Sequence, residues 1–105
     1  MQLTDIKTAL LTVTSKVYHF DATGATGNYI VWAEDGQADS VWADGRMKEQ
    51  TITGTIDYFT KIEYDPNFNA IQTALDAIGI SYKINSIQFE ELTKYIHTEW
   101  VWEVV

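Results

Sequence analysis

His19 and His97 are the residues in this chain best suited to moving a proton at neutral pH, and Asp57 and Glu99 are carboxylates that folding could bring beside His97. Catalysis also needs a nucleophile or metal and a group that stabilises developing charge. Both histidines fall in β-favouring segments, and neither has an Asp or Ser at a local spacing that fixes a dyad. An enzyme built on Asp57, His97 and Glu99 therefore ranks behind two non-catalytic readings. The stretch Glu34-Asp35-Gly36-Gln37-Ala38-Asp39-Ser40-Val41-Trp42-Ala43-Asp44-Gly45 holds four of the fifteen acidic residues, so it is the place to test for a hard-cation loop. Counted from Asp35, its third residue is Gln37, its sixth is Ser40 rather than Gly, and its twelfth is Arg46 rather than Glu. It reads as a solvated hairpin loop, with no metal and no cofactor expected. The glycines never form a phosphate loop followed by Lys and Ser or Thr, so nucleotide binding has no support.

The four tryptophans are Trp32, Trp42, Trp100 and Trp102. Trp100 and Trp102 share strand parity with Ile96 and Val104, which makes them core residues. Trp42 stands in the acidic stretch, where a large apolar ring needs a partner surface or a fold-back onto the sheet. It is a candidate interface anchor, with a local clasp as the alternative.

The elements that must position these residues follow from patterning. Leu3, Ile6, Leu10 and Val13 mark an amphipathic helix with Thr4 as its N-cap. Residues 16–20 and 29–33 read as strands around a loop of small residues. The run Tyr29-Ile30-Val31-Trp32-Ala33 is apolar throughout, as for a strand covered on both faces or lying in a subunit contact. Residues 50–62 alternate, with Ile52, Gly54, Ile56, Tyr58, Thr60 and Ile62 on one face. Asp65-Pro66 opens a second helix with an apolar stripe at Phe68, Ile71, Leu75 and Ile78, and Gly79 closes it. Ile80, Tyr82 and Ile84 share one strand face, but Ile87 and Phe89 have changed parity, which places a bulge near Asn85-Ser86. Residues 95–105 form a last strand. The expected fold is α+β, one domain over residues 1–105, with an antiparallel or mixed sheet of four to five strands and two helices packed on one face.

A chain of 105 residues with 46% hydrophobic and 13% aromatic residues has the material for one core. It has no cysteine, so disulfides, thiol nucleophiles and thiolate metal sites are excluded. Fifteen acidic against seven basic residues give a net charge of −8, the wrong sign for a stable nucleic-acid clamp. Nothing in the first fifteen residues resembles a signal peptide or a membrane span, so a cytoplasmic start is expected.

The order of these segments carries a resemblance. The short first helix, Tyr29-Ile30-Val31-Trp32 running into an acidic loop, Gly54-Thr55-Ile56-Asp57-Tyr58-Phe59-Thr60, the Asp65-Pro66 helix and the closing Tyr95-Ile96-His97-Thr98-Glu99-Trp100-Val101-Trp102-Glu103-Val104 are similar to small neck proteins of tailed phages and prophages of Gram-positive bacteria, the tail terminator or tail-completion class. The likeness lies in order and texture along nearly all of the chain. It implies an α+β subunit of a ring, typically a hexamer, that caps the tail tube and meets the head connector. It also implies a place in the virion at the head–tail junction, with assembly in the host cytoplasm, and no catalytic residues.

A ring that DNA traverses without sticking suits an acidic subunit. Subunits of like charge repel within a Debye length of about 8 Å, so ring closure needs complementary patches or screening cations. Arg46 and Lys48 follow the acidic stretch directly and could meet Asp35, Asp39 or Asp44 of a neighbour in a head-to-tail contact. With Trp42 these make the expected oligomer interface. The alternatives are another head–tail connector or minor capsid or tail protein, and, from a different class, a small carbohydrate-binding module that uses exposed aromatic rings.

Overall fold

A computed structural model describes residues 2–38, 42–43, 46–47 and 50–104, with the backbone alone at 42–43 and 46–47. The elements are α1 (Thr4–Leu11), β1 (Val17–His19), β2 (Tyr29–Gln37), β3 (Trp42–Ala43), β4 (Arg46–Met47), β5 (Ile52–Thr60), α2 (Pro66–Ile78), β6 (Ser81–Phe89) and β7 (Ile96–Val104). Five strands form one sheet in the order β1-β2-β5-β7-β6, and β3 and β4 pair as a separate two-stranded sheet. β1 runs parallel to β2, while the other neighbours are antiparallel. The fold is α+β with a mixed sheet and two helices, as the patterning predicts.

Local chemistry explains most of the element ends. Asp65 caps α2 by accepting the Asn67 amide at 2.9 Å, and Pro66 supplies the first helical residue, whose N–H would have no partner in any case. Gly79 ends the helix with φ at 73°, a left-handed conformation that glycine adopts without a Cβ clash. The start of α1 differs from expectation. Thr4 is its first helical residue rather than its cap; Leu3 precedes it in helical conformation with no side-chain cap. The Asp5 carboxylate accepts the Gln2 amide at 2.9 Å instead, so an acidic side chain inside the first turn does the tying.

The helices lie on one face of the sheet. Ile6 and Leu10 from α1 and Ile71 and Leu75 from α2 meet Ile30, Trp32, Ile56, Tyr58, Trp100 and Trp102 in a single core. Trp100 and Trp102 are 0% and 1% exposed, and each buried large side chain of this kind contributes about 1.5–3 kcal/mol. β2 alternates between buried and half-buried residues, so it is covered by helices on one face only. On its open face Tyr29 packs against the Tyr18 and Phe59 rings, and Val31 lies between Tyr18 and Asp57.

Two bulges shape the sheet. The β6–β7 register shifts between Ile84 and Ser86, which returns Ile87 and Phe89 to the face that Ile84 occupies, as the parity change requires. A second shift in β2, between Glu34 and Gly36, makes Asp35 the extra residue and lets the strand continue to Gln37, beyond the end that sequence suggests.

Candidate functional site

On the open face of the sheet, Tyr29, Phe59 and His97 stand opposite one another on β2, β5 and β7. Their rings stack in sequence, with centroids 4.8 Å and 4.2 Å apart, and Tyr95 meets Tyr29 and Phe59 edge-on. Lys61 Nζ lies 5.0 Å above the Tyr95 ring, within cation–π range. The next row carries the carboxylates Asp57 and Glu99, opposite each other on β5 and β7. His97 Nε2 lies 2.6 Å from Asp57 Oδ1, and its Nδ1 is 3.5 Å from Glu90 Oε2. Asn85, the bulged residue of β6, donates to Glu99 Oε1 at 2.7 Å.

Burial pushes the Asp57 carboxyl up from its ordinary range, His97 pulls it back, and the neighbouring Glu99 charge pushes it up again. The three residues that could form an acid–base pocket are thus brought together, although 40 residues separate Asp57 from His97. Among the described residues no Ser or Thr hydroxyl is hydrogen-bonded to either histidine ring. The arrangement can share protons among Asp57, His97 and Glu99 on β5 and β7, and the Asn85 amide ties β6 to them. Phe20, Asp21, Tyr29, Asp57, Phe59 and His97 border a shallow groove of about 410 Å3 beside it.

His19 is placed differently. Its ring is sandwiched between Trp32 and Phe20, with centroids 4.0 Å and 4.2 Å away, and its Nε2 is 2.6 Å from Glu34 Oε1. Phe20 has φ at 69° and its amide donates to the Trp32 carbonyl at 2.9 Å. This left-handed turn leaves the Phe20 ring 62% exposed at the β1 edge.

Of the expected interface residues, Asp35 sits at the β2 bulge and accepts the Thr53 hydroxyl at 2.7 Å. Trp42 lies on β3 opposite Met47, and Arg46 on β4 opposite Ala43. Asp39, Asp44 and Lys48 lie outside the described residues. With Trp100 and Trp102 in the core, neither ring is available as a sugar platform.

A third surface had no single motif to announce it. β6 is an edge strand, and Ile84, Ile87 and Phe89 lie on its helix-side face beyond the cover of α2, with Ile87 57% and Phe89 59% exposed. Ile62 and the fully exposed Leu92 extend the apolar area around the same end of the sheet. Between β6 and the start of α2 runs a groove of about 560 Å3, floored by Tyr58, Thr60 and Thr98 and walled by Ile62, Phe68, Ile87 and Ile96. Its floor is fixed by Asp65, whose Oδ2 accepts the Tyr58 and Thr60 hydroxyls at 2.7 Å and 2.6 Å. Burial raises the Asp65 carboxyl, but these bonds and the Asn67 amide outweigh it and hold it below its ordinary value. Burial and the adjoining Asp65 push the Tyr58 phenol up to about 12. The parity of Ile84, Ile87 and Phe89 was the available signal; what stayed hidden was where α2 stops covering them.

Among the described residues no group of three or more His, Asp or Glu side chains is placed to hold a metal ion, and no helix is long and apolar enough to cross a membrane. Compared with known proteins, the chain matches no family model and no curated protein.

Proposed function

We propose that this chain is a structural subunit of a phage or prophage neck, which assembles with copies of itself into a ring at the end of the tail tube and joins tail to head. The observation that carries this reading is the β6 edge. An edge strand offers a row of unpaired backbone groups, and soluble monomers blunt such edges with charge, proline or a bulge such as the one at Asn85. Here the only charged residue on β6 is Lys83, the strand beyond the bulge, Ser86 to Phe89, has neither charge nor proline, and Ile84, Ile87 and Phe89 stand exposed. A contiguous apolar surface of this kind marks a protein contact rather than a solvent face. The likeness in segment order to tail-terminator proteins supplies the kind of assembly, and the α+β fold agrees with what that likeness implies. The net charge of −8 suits a ring through which DNA passes without binding.

The test uses tail tubes assembled without their terminal cap. Mixed with the purified protein and imaged by negative-stain electron microscopy, the tubes should carry added density at one end only. A protein that leaves tube ends bare but binds purified head connector is instead a head-side subunit of the neck; binding to neither refutes the reading.

A further inference from the structure

We infer that His97 is a pH-sensitive latch, which fastens the turn between β6 and β7 to the open face of the sheet and lets it go when the proton held between His97 and Asp57 leaves. The ring stands between two carboxylates from different elements: its Nε2 lies 2.6 Å from Asp57 Oδ1 on β5, and its Nδ1 lies 3.5 Å from Oε2 of Glu90, the first residue of the turn. Imidazolium has two N–H groups, one for each carboxylate, whereas neutral imidazole has one. The count is the same wherever the first proton rests. A protonated Asp57 that donates to Nε2 leaves the ring its N–H at Nδ1, so the pair with both protons serves both contacts in either arrangement. Once one proton is lost, a ring-nitrogen lone pair must face a carboxylate. The Asp57 contact is the shorter, and Asp57 is 18% exposed against 38% for Glu90, so Asp57 keeps the remaining N–H and Glu90 is repelled. Phe59 stacks on the ring from β5 with Tyr29 of β2 behind it, and Gln88 is the uncharged cross-strand partner on β6. Tyr95, on β7's approach, donates its hydroxyl to the Gly27 carbonyl and holds Lys61 over its own ring. Glu99 beside Asp57, and Asp21 on the rim of the same shallow groove, add only negative charge.

Glu90 is also what holds the turn together. Its Oε1 accepts the Thr93 hydroxyl at 3.0 Å, its carbonyl accepts the Lys94 amide at 2.7 Å, and its own amide donates to the Tyr95 carbonyl at 2.8 Å. Lys94 has a left-handed backbone with φ at 65°, and its Nζ lies 6.0 Å above the Phe89 ring. With the Glu90 carboxylate turned away from His97, the Thr93 bond and the strained Lys94 backbone lose their anchor, and the turn opens more often. The turn carries the fully exposed Leu92 and adjoins Phe89, so the latch acts at the apolar end of the β6 edge. It is fastened at low pH and released at high pH, whether or not copies of the chain meet there.

The experiment follows the full chain by nuclear magnetic resonance from about pH 5 to about pH 9, a range that brackets ordinary histidine titration. The His97 ring resonances report its proton. Hydrogen exchange at the Glu90 and Lys94 amides, divided by the intrinsic rate at each pH, reports opening of the turn. Opening should rise about threefold in step with loss of the ring proton, as suits the loss of one partly exposed ion pair. Glu90→Gln presents an uncharged amide that can accept from or donate to Nδ1, so its turn should open equally at both ends of the range. His97→Gln has no ring proton to lose, and its turn should likewise ignore pH. Circular dichroism and a thermal melt confirm that each variant is folded, and either one suffices for the comparison. Opening that stays flat while His97 titrates overturns the inference. So does a rise of equal size in a folded variant, which would place its cause outside the contact between His97 and Glu90.

Discussion

Gly54 lies directly beneath the indole of Trp102: a Cβ at position 54 would sit inside the six-membered ring and against the Ala33 carbonyl oxygen. The two residues are cross-strand partners on β5 and β7, so neither can move away without opening the ladder. Gly54→Ala should therefore destabilise the fold by about 3 kcal/mol, at the upper end for overpacking. In a thermal melt this corresponds to a fall of more than about 12 °C, at about 4–8 °C per kcal/mol. A loss below about 0.5 kcal/mol in urea titration would show that the indole has room to move.

Asp65→Ala removes an N-cap and leaves the O–H groups of Tyr58 and Thr60 without their acceptor in a buried site, while their oxygens still accept from Asn67 Nδ2 and the Ile62 amide. A lost cap costs about 1 kcal/mol and each buried O–H without an acceptor about 1 kcal/mol, the low end for unsatisfied groups, so a total near 3 kcal/mol is expected from chemical denaturation. Asp65→Asn keeps an acceptor and should cost less than half as much. Equal losses for the two variants would mean that the hydroxyls find other partners.

The two half-buried or buried aspartates on β5 and at the α2 cap pull stability in opposite directions with pH. Asp65 has its folded pKa lowered, so its stabilisation is full above the unfolded carboxylate value of about 3.9 and is lost as pH falls through the folded value. Asp57 has its folded pKa raised, so the native state holds the proton longer and stability is lost as pH rises from about 3.9 through the folded value. Asp57→Asn, which imitates the protonated form, should match the unaltered protein near pH 3 and become the more stable of the two by pH 7. Denaturant titrations at both pH values check this, and a variant less stable at pH 7 would show that the contact with His97 dominates.

Salt separates the two candidate interfaces. A contact held by Arg46 and Lys48 against Asp35, Asp39 or Asp44 of a neighbour weakens as screening increases. A contact held by Ile84, Ile87 and Phe89 of β6 between subunits of net charge −8 tightens as their mutual repulsion is screened. Sedimentation from about 50 mM to 500 mM sodium chloride, a range over which the Debye length shrinks several-fold, should show larger species at the higher salt. Smaller species there would return the interface to the acidic stretch.

What the sequence revealed was local chemistry. Asp65, Pro66 and Gly79 define the ends of α2 because each acts within a few residues of itself, and the parity change after Ile84 locates a bulge because strand period is two. The apolar faces of β5 and β7 were legible for the same reason. The pairing of His97 with Asp57, and the stack of Tyr29 on Phe59, were not. They depend on which strands become neighbours and in which register, and that is set by the whole sheet. The misplaced cap of α1 has a smaller cause: the Gln2 and Leu3 carbonyls already accept the Asp5 and Ile6 amides, so the first turn begins ahead of Thr4.

The bulge at Asn85 gives one backbone position control over what the molecule shows to its surroundings. Pairing Asn85 with Glu99 in place of Ser86 would restore simple alternation in the same chain and turn Ile87 and Phe89 toward the His97 side, while Ser86 and Gln88 would take their places beside the groove. The composition would be unchanged and the adhesive edge would have changed sides. A one-residue slip of register at this point is thus enough to decide which neighbours a chain of this design can meet.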